Sequence, residues 1–596
     1  MKCLKNSKWM LRRSKIDIKK LSQSTGVSEI IASILVNRNV STEEDIRKFM
    51  KPDIEYLHDP LLMKDMDKGT DIMINALKSN RKVVVYGDYD ADGITSTCIL
   101  YSALLRCGAD VKYHIPDRII EGYGINIESL KQLREEGYEV LITCDNGISA
   151  IEQIRLAKEL GMIVIVTDHH DIPFIELEND QREFVVPEAD AVINPKQKDC
   201  SYPFKSLCGA GVAFKFSQVL YHKMGINKEE AYNFMEYAAI GTICDVVDLV
   251  DENRIIAKNG LKMINNTQNI GIKALIKATS LEGKKISSYH IGFVLGPCIN
   301  ATGRLDSANL ALQLLLHKDE KGASELATKL HALNIERQNM TVESLNEIVD
   351  IIENSKMKED KVLVVYKPDV HESIAGIVAG RLKERYNVPA IVLTQGEKMP
   401  KGSGRSIEEY NMFEELIKCK DLLEKFGGHP LAAGLSIKEE NIDKLRQALN
   451  NSCILTYEDT VPKIRIDKQL KLNEITFKLI EDIEKLEPFG KGNSTPIFAE
   501  KSVNVFRAYF IGKEKNILKL YCRPQGSFEK IDAICFDGAE KFKTLIEDTY
   551  GEEKLLDILN NNPANIKMDL IFSPSINEYN GNSNLQLIVK DFRLTS

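Results

Sequence analysis

Four stretches of this sequence bring acidic or imidazole side chains to the end of an apolar run. Val83, Val84 and Val85 lead into Asp88, Asp90 and Asp92, with Gly93 closing the turn. Val140-Leu-Ile-Thr-Cys ends in Asp145-Asn-Gly147, and Met162-Ile-Val-Ile-Val-Thr ends in Asp168-His169-His170-Asp171. The fourth is Gly241-Thr-Ile-Cys-Asp245-Val-Val-Asp248. Carboxylates spaced two residues apart repel one another in water, and a divalent cation is the simplest partner that holds them together. A lone Asp-x-Asp reads equally well as a polar turn capping the next helix. Recurrence after successive apolar runs turns the reading from a cap to a site.

The elements that position these groups follow from the pattern. The apolar runs read as buried strands, and the amphipathic segments Ile127–Glu136 and Ala150–Leu160 are long enough for crossover helices. Strand and helix in alternation predict an α/β, doubly wound parallel sheet. In such sheets ligands gather at the carboxyl ends of the strands, where Asp90, Asp92, Asp145, Asp168 and His169 all fall. Cys208-Gly-Ala-Gly211 lacks the third glycine of a dinucleotide fingerprint and follows no clear strand, so helix packing at a glycine-rich turn is expected there.

The ordered series Asp-x-Asp-Ala-Asp-Gly, Asp-Asn-Gly, Asp-His-His and Gly-Thr-x-x-Asp-Val resembles the Asp-His-His phosphoesterase superfamily. Downstream motifs narrow the resemblance to the RecJ family of single-strand-specific exonucleases, over roughly residues 60 to 596. The resemblance implies a 5′-to-3′ exonuclease of single-stranded DNA that releases 5′-mononucleotides with two divalent metal ions, in recombination and repair. It implies that Asp90 and Asp145 hold one ion, and that Asp92, Asp145, His169 and Asp245 hold the other. Mainly hard oxygen donors suit Mn²⁺ or Mg²⁺, and the imidazole leans toward Mn²⁺. His170 is then expected on the phosphate, with Asp168 orienting the imidazoles and Asp88 as an outer partner. Many superfamily members carry a histidine where this chain has Tyr86, which leaves the first ion one ligand short.

The same resemblance assigns substrate contacts to Arg118, Asn300, Arg304, Ser403, Arg405, Ser406, Gly427, Gly428 and His429. Cys298 stands where the family has an arginine, and His371 matches a family motif whose neighbours differ here. The glycine-rich stretches around Ser403 and Gly428 are expected to be turns in which backbone, arginine and serine donors meet a phosphate. The partner implied is single-stranded DNA, with single-strand-binding protein and a RecQ-like helicase implied by the family alone.

At 596 residues, three or four domains are expected. The boundaries read as an accessory helical segment 1–60, the catalytic domain 61–317, a connecting helix 318–357, a smaller α/β substrate-binding domain 358–454 and an OB-fold β-barrel 455–596. The barrel reading rests on short strand-like runs, among them Lys463–Ile466, Pro496–Ala499, Val503–Ala508 and Leu585–Val589, with Asn577–Asn584 as a polar loop. Aromatic residues Phe506, Tyr509, Phe510 and Tyr521 lie among Arg507, Lys513, Lys515, Lys519 and Arg523 there, a composition that suits a single strand. A net charge of −8 excludes a global basic field, so any polymer must meet a local basic groove. Twelve cysteines without metal-ligand spacing, no signal-peptide pattern and no membrane-length apolar run predict a cytoplasmic protein. Two rivals stand beside the exonuclease: an oligoribonuclease or cyclic-dinucleotide phosphodiesterase of the same superfamily, which the C-terminal region argues against, and a non-catalytic replication scaffold, which the full ligand set argues against.

Overall fold

The structure, a computed structural model, describes residues 7–122, 124–176, 182–524, 526, 530–579 and 581–595. The chain divides into two units, Ile54–Thr460 on one hand and Met1–Asp53 with Val461–Ser596 on the other.

In the first of these, five parallel strands lie in the order Val111–His114, Val83–Tyr86, Val140–Cys144, Ile163–Thr167 and Ala191–Ile193. Both faces of this sheet are covered, which is why its strands read as unbroken apolar runs rather than alternating ones. Val83 and Val85 enter one apolar layer with Ile99, Leu100 and Ala103 of the helix Ala91–Arg106. Val84 and Tyr86 enter the other, with Leu130 and Leu133 of Ile127–Glu135 and Ile154 and Ala157 of Ile151–Glu159. The expected doubly wound arrangement is therefore present, and it puts the acidic turns at one rim.

A single helix, Glu320–Glu353, runs 34 residues, or about 51 Å at the standard rise. Asp319 caps its start by accepting from the Gly322 amide. Ala323, Ala327 and Leu330 belong to an apolar core shared with the catalytic domain, whereas Ile348, Val349 and Ile352 belong to the core of the sheet that follows. One rigid rod is thereby anchored in two cores.

That second sheet has the order Leu423–His429, Ala432–Ile437, Lys401–Arg405, Ala390–Thr394, Leu363–Tyr366, with only the last pair parallel. The two glycine-rich motifs expected as turns are in fact strands on either side of Ala432–Ile437. Packing explains two of the glycines: a Cβ on Gly402 would stand 2.7 Å from Leu393 Cδ2, and one on Gly428 would stand 2.3 Å from the Ala432 carbonyl oxygen, whereas one on Gly427 would meet nothing within 4 Å. The alternation of Lys401–Arg405 leaves Lys401, Ser403 and Arg405 on the more open face.

The other unit is built on a closed barrel. Its strands run Phe498–Ile511, Ile517–Arg523, Ile531–Cys535, Asn582–Leu594 and Ile566–Tyr579, and the last pairs back with the first. Closure leaves no open edge. Two runs expected as separate strands, 496–499 and 503–508, are one long strand bent by irregular register. The stretch expected as a loop at Asn577–Asn584 is the end of a hairpin, with Asn577 opposite Asn584 and Glu578 opposite Ser583; Asn580 lies outside the described residues. Lys463–Ile466 does not join the barrel. It pairs in parallel with Lys8–Leu11, in a region expected to be helical. The Trp9 indole donates to Asp591 Oδ2 at 2.8 Å, and the Arg593 guanidinium sits 4.2 Å from the ring. Leu35 and Phe49 share one core with Leu486, Phe498 and Phe572. Of the accessory helical segment expected at 1–60, the helices up to Met50 pack with the barrel, because they expose an apolar stripe that they cannot bury among themselves, while Ile54 onward belongs to the other unit.

Among the described residues no helix is long and apolar enough to cross a membrane. The cysteines described are free, and Cys98, Cys144, Cys298 and Cys535 are buried as small core residues.

Candidate active site

The acidic turn after Val83–Tyr86 is fixed from both sides. Asp90 caps the helix Ala91–Arg106, its Oδ1 accepting from the Asp92 and Gly93 amides at 2.9 and 3.0 Å. Gly93 is required by proximity, since a Cβ there would lie 2.6 Å from the Asp88 carbonyl oxygen. Asp92, on the first turn of the helix, is buried and accepts from the Gly209 and Ala210 amides at 2.6 and 2.9 Å. These amides begin the helix Gly209–Lys223, so a helix N-terminus faces a carboxylate. Gly209 is also pressed against Asp145, where a Cβ would come within 2.7 Å of Oδ1. The motif Cys208-Gly-Ala-Gly211, expected to serve packing alone, thus holds one acidic residue and makes room for another. Gly241 does likewise, since its Cβ would lie 2.5 Å from Asp92 Oδ1. The signal in the sequence was the run of glycines; their target was not legible.

Asp145 follows Val140–Cys144 with φ +60, and Val246, directly after Asp245, has φ +57. Left-handed backbone in residues with a Cβ is strained, and strain of this kind collects at functional sites. His169 Nε2 lies 3.0 Å from Asp145 Oδ1, 3.7 Å from Asp92 Oδ2 and 3.8 Å from Asp245 Oδ2. Side-chain ligand atoms of Asp92, His169 and Asp245 all lie within 4.8 Å of one another, as do those of Asp145, His169 and His170, and those of Asp88, Asp90 and Asp145. Side chains from four separate stretches of the chain therefore meet at one rim of the sheet. Asp145 Oδ1 and His169 Nε2 are buried and have no hydrogen-bond partner among the described residues. Two such buried donor atoms 3.0 Å apart form the arrangement that a divalent cation completes. The oxygen-rich donor set with imidazole fits Mn²⁺ or Mg²⁺.

The charges agree with that reading. Burial, and then repulsion from Asp90, pushes Asp88 up to about 8. Burial, and then Asp92 and Asp90, pushes Asp245 up to about 8. Asp145 is raised well above the ordinary carboxylate range by burial and by the surrounding aspartates. Burial lowers His169 to about 4, which leaves its imidazole neutral and its lone pair available. Its neighbour is the opposite case. Burial alone would lower His170, but the hydrogen bond and charge of Asp168 outweigh it and raise the ring to about 9. His170 Nδ1 lies 2.8 Å from Asp168 Oδ1, and Asp168 also accepts from the His169, His170 and Ile148 amides. Those donors bring Asp168 down to about 2 against the effect of burial.

Tyr86 does not substitute for a metal-ligating histidine. It is buried with its hydroxyl accepting from the Asn126 amide at 3.0 Å and its ring 4.7 Å from that of His114. Asp88, expected as an outer partner, has a carboxylate oxygen within 4.8 Å of ligand atoms of Asp90 and Asp145.

A second group of residues converges beside this rim. A cavity of about 310 Å³ is lined by Arg118, Lys401, Ser403 and Lys425 among others. Arg118 sits 5.0 Å from the Tyr89 ring. Burial lowers Arg304 to about 10, with the like charges of Arg118 and Arg337 adding to the effect; Arg405 is lowered by burial and by Arg118. Among the described residues, Arg118, Arg304 and Arg405 form no ion pair with a carboxylate. Two guanidiniums that each repel that of Arg118 are what an anion would draw together with it.

Other residues expected to contact substrate hold bonds within the chain. The Ser406 hydroxyl is buried and donates to the Tyr410 carbonyl at 2.7 Å, so its proton is already engaged. Asn300 Oδ1 accepts from the Ala91 amide at 2.8 Å and thereby steadies the acidic turn. Arg304 donates to the Ser373 carbonyl. His371 caps the helix Glu372–Tyr386, accepting from the Ser373 amide at 3.3 Å. Gly427 and Gly428 lie in the strand Leu423–His429, and the exposed His429 lies 3.6 Å from Asp171.

This is the fold and site of a metal-dependent phosphoesterase. The DHH family N-terminal domain matches residues 82–242, the DHHA1 domain residues 359–454 and the RecJ OB domain residues 466–591. The single-stranded-DNA-specific exonuclease RecJ of Bacillus subtilis is 36% identical over 589 residues, covering 98% of this chain and 70% of that protein. RecJ from Thermus thermophilus in complex with Mn²⁺ superposes with a TM-score of 0.79 at 25% identity, covering 99% of this chain and 80% of that one. The same protein in complex with Mg²⁺ gives 0.75 at 24% identity, covering 99% and 79%. The chain belongs to the RecJ family of single-stranded-DNA-specific exonucleases.

Proposed function

We infer that this chain is a metal-dependent exonuclease that degrades single-stranded DNA in recombination and repair, working from the 5′ end and releasing 5′-mononucleotides. The observation that carries the reading is the buried, unsatisfied pair Asp145 Oδ1 and His169 Nε2 inside a ring of further carboxylates. Asp90, Asp92, Asp145, His169 and Asp245 would hold two divalent cations, Mn²⁺ or Mg²⁺, with Asp88 as a further donor on the side of Asp90 and Asp145. When bound, such ions would supply Lewis acidity at the phosphodiester and lower the pKa of a water. His170, held cationic at neutral pH by Asp168, donates to a phosphate oxygen. Arg118, Ser403 and Arg405 receive the terminal phosphate, and Arg304 adds to their field from its anchor on Ser373. Capture of a chain end rather than of an internal phosphate makes the enzyme an exonuclease.

The barrel belongs to a single-strand-binding fold class and supports a polymer substrate over a cyclic dinucleotide or a short oligoribonucleotide. The complete ligand set supports catalysis over a scaffold role. Single-strand-binding protein and a RecQ-like helicase are the partners proposed with this function, and the cytoplasm is the proposed compartment. The test is digestion of 5′-labelled single-stranded and duplex DNA with and without Mn²⁺, with products sized on a gel. The label should appear as mononucleotide from the single strand alone, and Asp145→Ala should abolish cleavage while retaining DNA binding. Normal cleavage by that variant would place the chemistry elsewhere.

A further inference from the structure

Most large apolar side chains of the catalytic domain are buried, but Tyr289 and Phe293 are 62% and 69% exposed. They are not two stray surface residues. Their rings are stacked, with centroids 5.1 Å apart and planes inclined by 27°. Phe293 lies in a π-helical turn, Ile291–Leu295, that continues directly into the helix Gly296–Leu305. Such turns are rare, cost hydrogen-bond quality, and recur at functional sites.

The position of this turn joins it to the metal centre. It packs on the helix Met235–Cys244, whose next residue is the ligand candidate Asp245. A Cβ on Gly292 would lie 3.7 Å from Ile243 Cγ2, and one on Gly296 would lie 2.4 Å from Cys244 Sγ. The backbone beyond Asp245 then presents Val246, 60% exposed. Farther along the same helical segment stand Asn300, which holds the Ala91 amide of the acidic turn, and Arg304, which reaches Ser373. Phe293, Asn300 and Arg304 are all less buried than Leu295, Cys298, Ile299 and Gly303 between them, so they lie toward the same open side of the segment. From Phe293 to Asn300 the segment advances by at most about 10 Å, the length of about two or three nucleotides of a strand.

The geometry points to Tyr289 and Phe293 as a stacking platform for a nucleobase of the strand held at the metal centre, two or three nucleotides from the phosphate being cut. The proposal rests on the exonuclease reading above. An exposed aromatic pair beside a phosphodiesterase centre suits a base, because every base has a π-face and stacking imposes no sequence preference. Leaving both rings in water has no stability rationale of its own.

The test compares wild type with the Tyr289→Ala/Phe293→Ala double variant on a 5′-phosphorylated oligothymidylate and on the same strand carrying abasic residues at the second to fourth positions. On the intact strand the double variant should show KM raised about tenfold or more, the loss expected for one stacked base, with kcat little changed. On the abasic strand wild type should fall to the variant's KM, so that the two become alike. Tyr289→Phe, which keeps the ring, should retain the wild-type KM on the intact strand. An unaltered KM in the double variant, or a gap that persists in full on the abasic strand, overturns the platform. A wild-type protein that digests neither strand overturns the underlying exonuclease reading instead.

Discussion

Metal binding by this protein should be coupled to proton release, and the coupling can be worked from the charges at the site. Without metal, Asp88 and Asp245 are each pushed up to about 8, by burial first and by neighbouring aspartates second. At pH 7 a group of that pKa is about 90% protonated, so the pair carries about two protons that a cation must displace. Asp92 and Asp145 are raised as well and add to the number. His169, lowered to about 4, is already neutral and contributes nothing between pH 6 and 8. Affinity for Mn²⁺ should then fall about tenfold for each displaced proton per pH unit, or about a hundredfold between pH 7 and 6 for two protons. Stability carries the same signature. In the metal-free state the raised carboxyls bind protons that the unfolded chain does not bind between about pH 4 and 8, so stability falls as pH rises through that window. Mn²⁺ replaces those protons, and its stabilising thermal shift should be larger at pH 8 than at pH 6. Titration calorimetry of Mn²⁺ into metal-free protein, in buffers of differing ionisation enthalpy, counts the protons directly. Release near zero at pH 7, with affinity flat from pH 6 to 8, would falsify the claim that burial and mutual repulsion keep these carboxyls protonated.

Further outcomes follow from single contacts. Gly209→Ala should weaken Mn²⁺ binding tenfold or more without unfolding the chain, because its Cβ would stand 2.6 Å from that of Asp145; calorimetry on the variant checks it. Asp168→Asn should let the His170 ring fall from about 9 toward its ordinary value, measured by NMR titration of the imidazole, since the hydrogen bond and charge that hold it up are gone. Arg405→Ala should raise KM for a 5′-phosphorylated strand more than for a 5′-hydroxyl strand. Ser406→Ala should leave KM alone and cost about 1 kcal/mol of stability through its bond to Tyr410, as read by denaturant unfolding. Leu35→Ala should destabilise the barrel by about 2–5 kcal/mol, followed through the fluorescence of Trp9, because Leu35 lies in the core that contains Phe498 and Phe572.

The catalytic sheet was legible because its strands are buried on both faces and its acidic residues follow them at fixed places. Period and punctuation are local properties, and a local reading recovers them. The long helix was legible for the same reason, as an unbroken 3.6-residue period without proline from Lys318 onward. The glycine-rich stretches around Ser403 and Gly428 misled that reading. Glycine signals either a turn or a close approach of layers, and only the neighbours Leu393 and Ala432 decide between them. Ser406 misled it too, since a motif names a residue but not the direction in which its hydroxyl points. The strand Lys8–Leu11 could not be read at all, because its partner Lys463–Ile466 lies more than four hundred residues away.

By itself the sequence determined which groups could hold a metal and that they follow strands, for which side-chain type and spacing along the chain are sufficient. The class of chemistry, phosphodiester hydrolysis, came from the family that the ordered motifs resemble. The tertiary structure alone decided that helix N-terminal amides hold Asp92, that the Asp88 carboxylate gathers with those of Asp90 and Asp145 while the Tyr86 hydroxyl is engaged by the Asn126 amide, and that the N-terminal helices complete the core around the barrel. Each of these depends on through-space distances between segments far apart in the chain, set by which apolar faces bury one another.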